Sequence, residues 1–407
     1  MIASPVQNGA LKGLKVIDLT MMLAGPFATM LLGDQGATII KIEPVDGGDM
    51  TRTVNLPKGS DMPYAGYYQS INRNKLSMAL DLKSEAGKAV LRRLVRDADV
   101  LVENYRVGVM DRLGLSYESL AKINPRLVYA AVRGFGDPRT GESPYADWPA
   151  FDVIAQAMGG IMGITGPDAQ TPLKIGPGVG DIVPAMLLTI GILSAVRHAS
   201  STGEGQFVDV AMYDAVLALC ERIVYQHSYD GTVPGPEGNS HPLLCPFGLF
   251  PAKDGWVSIA CPRDHFWKIL AENMGKSDLG DDERYAQNAS RVARNAEVVA
   301  MVSEWTRTLT KKQLAGCLGG KIPFGPVNNV AEIFADPHSA VREMLPEVEQ
   351  PGRGKVRIAG TPIRMTKTQG GVARRGALLG EDTDAILYAA GYSAQEIAAL
   401  RNAGAVR

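Results

Sequence analysis

The chain has 407 residues, too many for one small core, so a large domain with a smaller companion is the expected organisation. Its 42 Lys and Arg nearly balance 43 Asp and Glu, and a net charge of −1 gives no electrostatic case for nucleic acid or an anionic membrane as partner. The four cysteines (Cys220, Cys245, Cys261, Cys317) form no C-x-x-C pair and the five histidines show no ligand spacing, so neither a disulfide framework nor a metal site is expected. No basic stretch followed by an apolar one opens the sequence, so no secretory signal is expected and a cytoplasmic location is.

Residues 14–19 read as a short buried strand. Ala24-Gly25-Pro26 then opens a helix, with Pro26 suited to its first turn, and 38–42 read as a second strand. This β-α-β start predicts a parallel sheet with crossover helices. A dinucleotide site would want G-x-G-x-x-G at the first turn, but the turn reads MMLAGPFATM. The alternation continues with strands at 76–82, 99–103, 127–133 and 206–210. Helices are expected at 84–95, 107–113, 151–164 with a Gly159-Gly160 interruption, from Asp181 onward, and at 212–224. Composition shifts near residue 229, where 230–246 are rich in Gly, Pro and polar residues. Strands at 247–250 and 256–260 and helices at 266–274, 295–306 and 311–318 predict a smaller α+β unit. Residues 324–327 begin the return, and two helical segments follow at 382–390 and 393–403.

The stretch Lys174-Ile175-Gly176-Pro177-Gly178-Val179-Gly180-Asp181 leads into an uncharged run, 182–196. Asp181 then sits at the mouth of a buried helix, either as a simple N-cap or as a reactive carboxylate kept ionised by the helix N-terminus. The three glycines would let a large ligand approach the backbone. The run itself is short and interrupted by Pro184 and Gly191, so a membrane span is not expected. Basic residues cluster at strand ends, in Asn72-Arg73-Asn74-Lys75 and at Lys83, Arg106 and Arg112. They suit a phosphorylated ligand beyond the carboxyl ends of the strands, or they are ordinary solvated surface. Gly238-Asn239-Ser240-His241-Pro242 reads as a mobile loop able to cover a site, or as a linker.

A longer set of motifs runs almost end to end. It includes LKGLKVIDLT, AGPFATMLLGDQGATIIKIE, GGDMTR, NRNKLSMALDLKSEAG, DVLVENYRVGVMDRLGL and INPRLVYAAVRGFG. It continues with FDVIAQAMGG, GVGDIVPAM, GEGQFVDVAMYDAV, PFGLFPAKDGWVSIA, FGPVNNVAEIFADP and GEDTDAIL. In this ordered set the chain resembles the class III (CaiB/BaiF) coenzyme A transferases, which include formyl-CoA transferase and carnitine CoA-transferase.

The resemblance implies an α/β fold with a Rossmann-like large domain and a smaller α+β domain, in an intertwined homodimer of interlocked rings. A related paralogous subunit is the other partner it allows. On that plan 1–212 form the large CoA-binding domain, 213–235 a linker, 236–325 the small domain, 326–345 the return linker, and 346–407 complete the large domain. The resemblance makes Asp181 a nucleophile that passes through an acyl–aspartyl anhydride and an aspartyl-CoA thioester. It requires no tightly bound cofactor, coenzyme A being part of the substrate. It places Leu23, Ala24, Leu80, Asp81, Lys83, Asn104, Tyr105, Arg106 and Arg112 against coenzyme A, and makes Gly238, Asn239, Ser240 and His241 a lid.

Leu23 stands where formyl-CoA transferase has glutamine, GNSHP replaces its tetraglycine lid, and Pro44 replaces a basic contact. The first two departures point away from oxalate as acceptor, and Pro44 implies a changed grip on the nucleotide; the resemblance itself favours an acyl-CoA such as succinyl-CoA as donor and a dicarboxylate as acceptor. The α-methylacyl-CoA racemases share the fold but need a histidine where this chain reads Pro149-Ala150-Phe151-Asp152. A catalytically silent subunit is the other alternative, and the presence of Asp181 argues against it.

Overall fold

Six short runs form one parallel sheet: Lys15–Asp18 (β1), Thr38–Glu43 (β2), Lys75–Ala79 (β3), Val100–Glu103 (β4), Val128–Arg133 (β5) and Phe207–Ala211 (β6). These elements come from a computed structural model that describes residues 3–407. The strand order is β3-β2-β1-β4-β5-β6, and every neighbouring pair is parallel. Val100, Leu101, Val102 and Val128 are fully buried, as central strands covered on both faces must be. The order reverses between β1 and β4, which leaves a crevice past their carboxyl ends.

The connecting helices are Ala24–Asp34 (α1), Gly66–Ile71 (α2), Glu85–Val95 (α3), Val109–Arg112 (α4), Tyr117–Ala121 (α5), Asp152–Met158 (α6), Val179–Thr202 (α7) and Met212–Leu219 (α8). In α3 the Ser84 hydroxyl accepts the Gly87 N–H, and Val90, Leu91 and Val95 turn inward while Arg92 and Arg93 sit at the negative end. Helix α7 packs on α1, α6, α8, β5 and β6. It is longer than the 182–196 run, because it starts at Val179 and runs past Val196 to a glycine C-cap at Gly203, with Pro184 and Gly191 inside it. By length and composition its 24 residues are apolar enough to cross a membrane, but Leu188, Ile192 and Ala195 lie buried within the protein.

Glu221–Asp230 (α9) leads out of this first unit, which comprises residues up to Ile161, Ile175–Tyr225 and Pro337–Arg407. The second unit holds Met162–Lys174 and Gln226–Asp336. Residues 162–174 therefore go with the second unit, although they lie within the 1–212 span expected for the large domain, and α8 and α9 occupy most of the expected 213–235 linker. The second unit is α+β. Phe247–Ala252 (β7), Gly255–Ala260 (β8) and Phe324–Pro326 (β9) form an antiparallel sheet. Asp264–Asn273 (α10), Asn288–Ala293 (α11), Asn295–Thr306 (α12), Lys311–Leu318 (α13) and Val330–Ala335 (α14) accompany it. Trp267, Val298, Val302, Leu314 and Leu318 make its core.

The 238–242 loop is tied to β7 rather than loose. Ser240 bridges Gly248, Leu249 N–H donates to Asn239 O at 3.2 Å, and a Cβ at Gly248 would fall 1.9 Å from Asn239 O.

The chain returns through Pro337–Val341 (α15), Glu347–Gln350 (β10), Gly354–Arg357 (β11), Thr383–Ala389 (α16) and Ala394–Asn402 (α17). This segment covers the edge of β3. Asp382 and Thr383 side chains accept the Ser77 and Ala79 N–H groups at 2.9 and 3.2 Å. Leu80 bridges Val406, and Asp81 N–H donates to Ala405 O at 2.9 Å. A sheet edge that would otherwise offer unpaired donors is thereby closed.

Candidate active site

The turn after β1 and the turn after β4 meet at the crevice where the strand order reverses. A cavity of about 340 Å³ opens there, and Leu23, Ala24, Tyr67, Asn104, Arg106 and Asp181 line it. Met21, Met22, Met50, Trp148, Phe151 and Met212 give it a largely apolar remainder. A pocket with a few polar groups on an apolar wall is the usual form of a small-molecule site.

Asp181 is not the N-cap of α7. Gly178 holds that position, and Asp181 lies inside the first turn. Its own N–H donates to Gly178 O at 3.1 Å. Its carboxylate accepts no hydrogen bond from any described residue. The expectation that the helix mouth favours an ionised Asp181 meets an opposing effect in the surroundings of the carboxylate. Burial, reinforced by the Asp152 charge, pushes its carboxyl from 3.8 up to about 7.

The first-turn donor of α7 goes instead to Asp152, whose Oδ1 accepts the Gly180 N–H at 2.8 Å. Gln156 Nε2 donates to both Asp152 oxygens at 2.9 Å, and Gln156 Oε1 takes the Ile175 N–H at 2.9 Å. Gly180 is required by this packing. A Cβ there would lie 2.6 Å from Asp152 O, whereas Gly176 faces open space. Tyr67 lies half-buried nearby. Burial, then the charges of Asp181, Asp49 and Asp152, push its phenol up to about 12, so it remains a hydrogen-bond donor at neutral pH.

Leu23 and Ala24 stand at the N-terminus of α1, and the N–H groups of Leu23, Ala24 and Gly25 have no partner among the described residues. They are positive-end donors, and Leu23 and Ala24 stand at the cavity wall.

The basic residues separate into two classes. Arg73 and Lys75 are neither ligand contacts nor solvated surface. They are buried and paired, Arg73 with Asp34 at 2.7 Å and Lys75 with Asp18 at 3.0 Å. Arg133 lines the cavity, but Glu103 and, at 2.7 Å, Asp137 hold its guanidinium. Arg106, Arg112 and Lys83 are exposed and have no ion-pair partner among the described residues. Arg106 is on the cavity; Lys83 follows β3, three strands from β4.

Tyr105 and Asn104 line the cavity as well, but the Asn104 amide is bonded to the Met21 backbone. Leu80, Asp81, Lys83 and Arg112 lie outside it, Leu80 buried against the C-terminal segment. Gly238, Asn239, Ser240 and His241 belong to the second unit. Sequence reasoning passed over Tyr67, for which a Tyr-Tyr pair in a short helix gives no signal. It noticed Asp152 only for the histidine missing beside it. An acid opening an apolar helix was the available clue. No cluster of His, Cys, Asp or Glu suited to a metal ion occurs among the described residues.

The profile of CoA-transferase family III matches residues 11–383. The chain is 47% identical over 387 residues to a succinyl-CoA:mesaconate CoA-transferase of Haloarcula hispanica, covering 94% of this chain and 97% of that one. It is 38% identical to a succinate–glutarate CoA-transferase of Agrobacterium fabrum, covering 95% and 97%. Among solved structures, a CaiB/BaiF family protein from Brucella suis superposes with a TM-score of 0.83 at 36% identity, covering 94% of this chain and 100% of that one.

Proposed function

The chain belongs to CoA-transferase family III, and from that premise we propose that it carries coenzyme A from succinyl-CoA to a short dicarboxylic acid by covalent catalysis on Asp181. The observation that supports this most is the setting of Asp181. It is a carboxylate free of hydrogen bonds, on a cavity whose opposite turn presents unpaired N–H groups at the start of α1. The names of the relatives support succinyl-CoA as donor and a dicarboxylate such as mesaconate or glutarate as acceptor.

In this reading an Asp181 oxygen attacks the thioester carbonyl, the C–S bond breaks, and coenzyme A leaves as thiolate. The α1 amides receive the negative charge that develops on the carbonyl oxygen. The thiolate then attacks the aspartyl carbonyl of the anhydride, releasing succinate and leaving an aspartyl-CoA thioester. An oxygen of the acceptor carboxylate displaces the thiolate from that thioester. The thiolate finally attacks the acceptor carbonyl, forming the new acyl-CoA and regenerating the Asp181 carboxylate. The apolar walls slow hydrolysis of the anhydride. Arg106, unpaired at the cavity, is placed to meet the phosphates of coenzyme A.

A donor–acceptor screen with succinyl-CoA, read by mass, tests the transfer. Hydroxylamine should release a succinyl group from Asp181 alone, and Asp181→Ala should lose all turnover. Acylation at any other residue would sink the mechanism.

A second copy of this chain is the proposed partner. Met186, Leu187 and Ile190 leave an apolar face of α7 exposed, which supports a covering subunit. Light scattering should give twice 43.5 kDa, and a monomer would remove the proposal.

A further inference from the structure

We propose that Asn104 serves the transfer as a positioning residue, acting through the backbone of Met21 together with the buried Lys41–Asp49 pair. The turn between β1 and α1 is gripped at three successive residues. Lys41 Nζ donates to Thr20 O at 2.7 Å. Asn104 takes both polar groups of Met21, accepting its N–H at 2.9 Å and donating to its carbonyl at 2.7 Å. Asp49 Oδ1 accepts the Met22 N–H at 3.4 Å, while Asp49 Oδ2 lies 2.9 Å from Lys41 Nζ. Lys41 and Asp49 are wholly buried.

Within these grips Met22 has a φ of +67°. A residue with a Cβ avoids that left-handed conformation, and strain of this kind persists only where the surroundings over-determine it. The three grips supply that restraint. The next two residues are Leu23 and Ala24, whose N–H groups are unpaired at the cavity. The backbone direction through Met22 therefore sets where those donors stand. Released from the clamp, Met22 would relax toward negative φ and carry them away from the thioester oxygen. Asn104 acts by this route rather than by touching coenzyme A.

The inference rests on the proposed acyl transfer, and the experiment separates the two. The full chain is mixed with succinyl-CoA in single turnover, and the acyl group on Asp181 is counted by hydroxylamine release. A wild-type chain that is never acylated would overturn both readings. If it is acylated, Asn104→Ala should slow acylation at saturation by about ten- to a hundred-fold, less than the roughly hundred- to thousand-fold of an oxyanion donor removed outright, because the donors are displaced and not deleted. The dissociation constant for free coenzyme A should stay within about two-fold. Weakened coenzyme A binding with the saturated rate intact would mean a direct contact and would overturn the proposal.

Glycine adopts positive φ freely, so the same substitution in a Met22→Gly background should cost at least about five-fold less in rate. Equal losses in the two backgrounds would also overturn it. If Asn104→Ala does not fold, Asn104→Asp, which keeps the acceptor for the Met21 N–H, carries the same cycle.

Discussion

The Asp152 carboxylate accepts the Gly180 N–H at 2.8 Å, so this first-turn donor of α7 is bonded to Asp152 and not to its neighbour Asp181. Two acids share one helix mouth and only one receives its donor. The other is left half-buried, repelled by the first, with its carboxyl near 7. For a nucleophile that must be ionised, this predicts a rate that climbs with pH. In initial-rate profiles kcat/KM for the acyl-CoA should rise with a midpoint at about pH 7 and level off above it. Asp152→Asn keeps an acceptor for Gly180 and removes the charge, so the limb should move to lower pH. Burial, the larger cause, remains, so the limb should stay above the usual carboxylate range.

The same shift has a stability counterpart. The folded chain holds the Asp181 proton to about 7, whereas the unfolded chain releases it near 3.8. The contribution is therefore intact below 3.8, declines through the interval, and is gone above about 7. Asp181→Asn should be more stable than wild type at about pH 8 by up to about 2 kcal/mol, allowing for partial solvent screening. Denaturant unfolding at a series of pH values should show the two proteins converging as pH falls.

Gly180→Ala should act through packing. The added methyl would press on Asp152 O at 2.6 Å inside a buried contact. A loss of about 1–3 kcal/mol is expected in thermal or urea unfolding. Acylation should slow as well, because the displaced turn carries Asp181.

Arg106 and Lys83 should differ in effect. Arg106→Ala removes the unpaired cation on the cavity and should raise KM for acyl-CoA about ten-fold, with kcat nearly unchanged. Lys83→Ala, outside the cavity, should have the smaller effect. Steady-state kinetics at two salt concentrations would rank them, and the Arg106 effect should shrink at high salt.

The sheet was legible because each strand is a compact apolar run between turn residues, and the fold class followed from the alternation. Asp181 was legible as a residue, but its surroundings were not. Asn104 meets Met21 across 83 positions, and Asp152 meets Gly180 across 28, so neither partnership leaves a local pattern. Arg73 and Lys75 carry the same lesson for charge. Composition cannot tell a solvated cation from one paired with Asp34 or Asp18 in the interior. What opposes ionisation of Asp181 is hidden for the same reason, since its helix position is visible in the sequence and its burial beside Asp152 is not.

The closure of β3 by residues 371–406 has a consequence for biosynthesis. Asn74, Ser77, Ala79, Leu80 and Asp81 find their partners in Gly371, Asp382, Thr383, Val406 and Ala405. On the ribosome the sheet is synthesised first and its lateral seal last. From the emergence of β3 until residue 406 clears the exit tunnel, the nascent chain holds an open strand edge.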